Sequence, residues 1–171
     1  MTVDTARLLA RYNTHANAEM NKVLATLSPD EWTADRGGYF SSFRSLTGHI
    51  YTADVAWLVR FSGLHSFRTV QGDPFDFPPS FGEPPFGGLD EYLKLRPWLD
   101  AKMEAFAAEL TDEDLTRDLA FRNSRGEPHT KNFGGLVLHM FNHETHHRGS
   151  ISLILDQIKK TNDFSSIMTI L

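Results

Sequence analysis

Apolar residues recur at helical spacing along four stretches of the chain, and this periodicity constrains the fold more than any other feature. The first stretch covers roughly Thr5–Leu27, where Leu8, Leu9, Tyr12, Met20, Val23, Leu24 and Leu27 form a broken stripe. It stops before Ser28-Pro29-Asp30-Glu31, which has a serine N-cap, proline at the first helical position and a glutamate three residues after the serine. That is a capping box. The second stretch runs roughly Ser42–Phe61, with Phe43, Leu46, Ile50, Trp57 and Phe61 on one face and Ser41 or Ser42 as its cap. The third, roughly Asp90–Leu110, carries Tyr92, Leu93, Leu95, Trp98, Leu99, Met103 and Phe106, and Thr111 to Asp114 again resembles a cap. The fourth covers roughly Asn132–Lys159. Ahead of it, Asp118–Arg122 and Pro128–Lys131 flank the turn Asn123-Ser124-Arg125-Gly126 and predict a small β-hairpin. The expected fold is all-α: a four-helix bundle with a long crossover loop and a small β-hairpin before the last long helix, in one domain over residues 1–171.

The crossover loop, about Gly63–Leu89, holds five of the eight prolines together with Phe67, Phe75, Phe77, Phe81 and Phe86. Connections this long are usually functional or disordered. So many large apolar anchors favour a segment pinned to the core over a mobile lid or pocket wall. The tail Thr161–Leu171 ends apolar and is expected to dock on the bundle or on a partner subunit.

Composition excludes several functions. With 171 residues, 40% of them hydrophobic, the chain can bury a core without a metal or disulfide to hold it. The absence of cysteine rules out a disulfide framework, a thiolate nucleophile and a sulfur-ligated zinc finger. A net charge of −5 argues against nucleic acid as a partner. No apolar run approaches the ~20 residues of a membrane helix, and Met1–Met20 has no basic-then-apolar signal pattern. The expectation is a cytoplasmic protein with a small-molecule substrate.

Chemistry concentrates in Leu138-His139-Met140-Phe141-Asn142-His143-Glu144-Thr145-His146-His147-Arg148-Gly149. At about 100° per residue, with His143 at zero, the apolar residues Phe133, Leu136, Met140, Ile151, Ile154 and Ile158 fall between about 20° and 80°. His147, at about 40°, lies inside that arc and His143 at its margin, while His139 and His146 fall toward the flank. Two inward histidines one turn apart can share a metal ion, and the spacing H-E-x-x-H is literally present at 143–147. A zincin normally borders a sheet that binds extended peptide, and only a hairpin is expected here. Glu144 is either a base for metal-bound water or a partner for a neighbouring helix. Arg148 and Asn142 are expected off the core face, in a cap, salt bridge or subunit contact.

A third ligand should come from another helix. His49 lies at the edge of the stripe of Leu46, Ile50, Ala53 and Trp57. Taken alone it reads first as a partly buried histidine with ordinary partners. Three imidazoles would leave coordination positions open, as reactive sites do.

Ser45-Leu46-Thr47-Gly48-His49-Ile50, together with Asn142 to Gly149, closely resembles the DinB family of the DinB/YfiT-like superfamily. The resemblance runs along nearly the whole chain in element order; Ser150 departs from it where family members often carry glutamine. It implies a four-helix bundle, commonly a homodimer, holding one divalent ion per chain, zinc or nickel, on His49, His143 and His147. Superfamily relatives include S-transferases and isomerases that use a low-molecular-weight thiol, bacillithiol or mycothiol.

Three functions follow as expectations. The first is a metal-dependent enzyme that activates a thiol for transfer, or else activates water for hydrolysis with Glu144 as base. A thiol cofactor carrying carboxylates would call for cations at the pocket, with Arg44, Arg60 and Arg148 as candidates. The second is a non-enzymatic stress-response or sensing dimer, its metal closed off by a fourth ligand such as His139 or His146. The third, a structural staple, ranks last because the core should suffice without it.

Overall fold

The computed structural model describes residues 1–171, and its core is one cluster of buried side chains contributed by every long helix. Helix α1 spans Val3–Leu24, α2 Pro29–Thr33, α3 Phe43–Phe61, α4 Leu89–Glu109, α5 Asp112–Thr116 and α6 Phe133–Gln157. Strands β1 (Asp118–Arg122) and β2 (Pro128–Asn132) pair antiparallel, Ala120 opposite Thr130, before α6 begins. A single 3-10 turn, Ile167–Ile170, ends the chain.

Local chemistry sets the helix ends. Ser28 and Glu31 form a reciprocal capping box, with the Ser28 N–H donating to the Glu31 carboxylate at 2.8 Å. Ser42 caps α3 and Thr111 caps α5. Asn132 accepts from the Gly135 N–H at 2.9 Å and opens α6. Each satisfies N–H groups that a first helical turn leaves without partners.

The break in the α1 stripe has a structural explanation. Its buried line is Ala6, Ala10, Asn13, Asn17, Met20 and Leu24, so two asparagines occupy positions where apolar residues were expected. Leu8 and Leu9, counted in that stripe, are only partly buried.

Helix α1 packs on α4 and α6, and α3 packs on those same two helices. Going round the bundle, the order is therefore α1, α4, α3, α6. The chain makes its diagonal steps from α1 to α3 and from α4 to α6, the latter through α5 and the hairpin. The long proline-rich segment joins the neighbours α3 and α4. Three of its five phenylalanines, Phe67, Phe75 and Phe86, are buried, whereas Phe77 and Phe81 are exposed. Pinning thus accounts for part of the loop. Pro84 brings the rest over the start of α3, where Gly48 leaves room: a Cβ on Gly48 would lie 2.6 Å from the Pro84 Cβ. Phe81 and Pro84 become walls of the cavity described next.

The tail docks through Phe164, which is buried, and through the Tyr12 hydroxyl, which donates to the Ser165 carbonyl at 2.7 Å. Met168 and Leu171 beyond it are exposed. No helix is long and apolar enough to cross a membrane.

Candidate metal centre and its cavity

His143 and His147 lie one turn apart on α6, and α3 packs alongside so that His49 meets them. His49 Nε2 and His147 Nε2 each stand 3.0 Å from His143 Nε2, and the three nitrogens lie within 4.8 Å of one another. Two nitrogens bound to one zinc ion at ~2.0–2.1 Å and a tetrahedral angle are ~3.3 Å apart. The donor set and its spacing fit a single divalent ion.

Electrostatics agree with that fit. Burial pushes His143 down to about 4, helped by the neighbouring His49, and pushes His147 down to about 3, helped by His143 and His49. Burial lowers His49 as well. All three are therefore neutral near pH 7, the form that offers a lone pair to a metal. Phe40 stacks on His49, its ring centroid 4.3 Å away, and meets His147 edge-on at 5.5 Å. This covers one side of the cluster with apolar surface.

The other side opens into a cavity of about 600 Å³. Its floor is the face of α3 from Ser45 to Arg60; residues 39–41, 81–84 and the hairpin turn at Asn123 and Ser124 form its walls. His49 and His143 reach it, and so does His139, whose ring packs on Trp57 at 5.2 Å. His139 and His146 are exposed and neither joins the three-nitrogen cluster.

Glu144 does not line the cavity. It is fully buried, with Oε1 3.0 Å from Arg96 and Oε2 3.1 Å from Arg148. Burial alone would raise its pKa, but the charge of Arg96, a hydrogen bond from Asp54 and the charge of Arg148 pull it down to about 2. Of the two sequence readings of Glu144, the partner for a neighbouring helix describes this placement. Arg148, expected off the core face, is instead buried beside it and also donates to Asn13 and, at 3.3 Å, Asn17. The reason is that α1 presents asparagines there in place of apolar side chains.

Arg96 is the hub of this interior cluster, 2.6 Å from both Asp54 and Asp100. Burial and the adjacent Glu144 push Asp54 well up from the usual carboxylate range. Asp100 rises only to about 6, burial being offset by Arg96. Two guanidinium groups thus face three acidic side chains, opposite charges set against each other in a dry interior. The sequence reading passed over Arg96, Asp54 and Asp100. A signal was available, since Tyr92, Arg96, Leu99, Asp100 and Met103 share the buried line of α4, where two charges at i and i+4 call for partners.

Of the three arginines considered for the pocket, only Arg60 lines the cavity. Arg44 lies 3.9 Å from the exposed Glu83, and Arg148 is in the core.

The sequence pattern of the DinB family matches residues 1–162. No curated protein matches the chain. Among solved structures, a DinB-like protein from Bacillus cereus ATCC 10987, whose crystal structure was determined at 2.01 Å, is similar in fold. It has a TM-score of 0.57 and 23% identity, with 88% of this chain and 90% of that chain covered. The family pattern spans nearly the whole chain and includes all three clustered histidines, and the chain belongs to the DinB family.

Proposed function

We propose that His49, His143 and His147 hold one divalent ion, zinc or nickel, and that the chain is a metal-dependent enzyme using an external thiol as nucleophile. The observation that carries this reading is the convergence of three neutral imidazoles, two of which, His49 and His143, reach the wall of a cavity, with no fourth histidine or carboxylate in the cluster. A bound ion supplies Lewis acidity there, lowering the pKa of a coordinated thiol or water.

The chain's own groups favour thiol over water. Hydrolysis calls for a base facing the cavity to take a proton from water. Of the carboxylates, Glu144 faces the interior with both oxygens paired and Glu83 on the cavity rim is exposed and beside Arg44, which leaves the exposed His139, packed on Trp57, as the base hydrolysis would need. A thiol is about seven pK units more acidic than water and has less need of such a base. The chain has no cysteine, so the thiol must be a small molecule brought into the cavity. Phe40 stacks on His49, and the three imidazoles hold no proton that would compete with the ion at neutral pH.

The homodimer implied by the family resemblance we assign to the outer line of α6. Leu138, Asn142, Thr145, Gly149 and Leu153 are exposed there, uncharged and spaced along one face.

Elemental analysis of protein purified without a nickel column tests the centre. Near-stoichiometric metal is expected in the wild type and its loss in each of His49→Ala, His143→Ala and His147→Ala. A wild type that stays metal-free after incubation with zinc or nickel sinks the reading. Consumption of a small thiol with an electron-poor aryl halide, present in loaded wild type and absent from His143→Ala, then tests the reaction.

A further inference from the structure

The cavity is polarised along its length. The histidines occupy one end of the α3 face, and Arg60 lies 11 residues further along the same helix, about 16 Å by helical rise and within about 20° of the same direction. Side chains on a helix lean toward its N-terminus, so Arg60 folds back over the preceding turn and into the cavity. Its guanidinium carbon lies 5.0 Å from the Trp57 ring centroid, and its Nε donates to the Arg122 carbonyl of β1 at 3.1 Å. Stacking on one face and anchoring at Nε leave the two terminal nitrogens without a protein partner.

No carboxylate pairs with Arg60, and burial lowers its pKa, which makes it a half-desolvated cation short of an anion. The acidic group on the cavity wall, Glu83, is itself turned toward Arg44. Between the histidines and Arg60, among polar groups such as Thr52, Asn123 and Ser124, the wall carries an aromatic cluster: Trp57 packs against Phe121 at 5.5 Å and against His139 at 5.2 Å. Such a cluster stacks flat rings, and a fixed guanidinium fork pairs with a carboxylate.

We propose that the cavity takes an elongated small molecule with a carboxylate bound by Arg60, a flat apolar body against Trp57 and Phe121, and its reacting end toward the three histidines. The inference rests on reading the histidine cluster as the reactive end, but the Arg60 contact itself needs no metal.

Metal-free protein is titrated calorimetrically with 2-naphthoate and with its neutral counterpart 2-naphthamide. The wild type should prefer the acid by about tenfold or more, as a charge-assisted pair in a partly dry site implies. Arg60→Met should bring the two probes to equal affinity while Arg60→Lys keeps part of the preference, and thermal melts establish that both variants are folded. His143→Ala should keep the preference intact. Equal affinity in the wild type, an unchanged preference in Arg60→Met, or no measurable binding of either probe overturns the proposal. So does naphthoate binding that appears only with added zinc and vanishes in His143→Ala, because the anion would then be seated on the metal. Failure of the wild type to take up metal, with the preference present, would remove the metalloenzyme reading and leave the anion site standing.

Discussion

At the residue scale, the least expected group is Glu144. It follows a candidate ligand directly, yet its carboxylate points the other way and joins α6 to Arg96 of α4, which also holds Asp54 of α3. A carboxylate paired in this way ties α6 to α4 one residue from His143. Glu144→Gln should therefore keep near-stoichiometric metal while losing stability, whereas a base acting on bound water would lose turnover with stability unchanged. The interior cluster also makes Arg96 costly to remove. Arg96→Met would leave Asp54, Asp100 and Glu144 without their shared cation, and a loss of about 3–5 kcal/mol is expected from urea denaturation. A loss below about 1 kcal/mol, the size of an ordinary surface change, would contradict the charge pairing described.

At the scale of elements, the long segment between α3 and α4 is held by its buried Phe67, Phe75 and Phe86, by Pro84 against Gly48 and by Glu109 near the end of α4. The Glu109 carboxylate accepts from the Arg68 N–H at 2.8 Å, the Thr69 N–H at 2.9 Å and the Thr69 hydroxyl at 2.7 Å. Partial burial works against ionisation, but these three bonds outweigh it and hold the pKa below its usual 4.5. A depressed carboxylate contributes stability that is present above the unfolded-state value and lost as pH falls through the folded one. The penalty of Glu109→Gln should therefore be visible in thermal melts at pH 7 and shrink as the pH drops below 4.5. A penalty that is constant across this range would mean that the carboxylate charge plays no part in holding the loop.

For the whole molecule, the proposed dimer places its seam on the outer line of α6. Light scattering on the eluting wild type should give twice the 19.4 kDa chain mass, and Leu153→Glu should halve it by placing a charge in the seam. A wild type eluting as a single chain would refute the dimer and leave Leu138 and Leu153 as scattered exposed side chains of no consequence.

Much of this was readable before any coordinates. Helix extents, the caps at Ser28, Ser42 and Thr111, and the inward pair His143 and His147 follow from neighbours three or four positions apart, and helical geometry is local. Even the polar gaps in α1 and the charges on the buried line of α4 were present as patterns awaiting interpretation. What the letters could not express were relations between residues distant along the chain: which helix faces which, that Glu144 turns to Arg96, and that Arg60 rather than Arg44 or Arg148 enters the cavity. Those depend on the diagonal order of the bundle and on which side of each helix its partners cover. Buried charge must find opposite charge across helices, as Arg96 finds Asp54 and Glu144, and no short stretch of sequence contains both sides of such a pair.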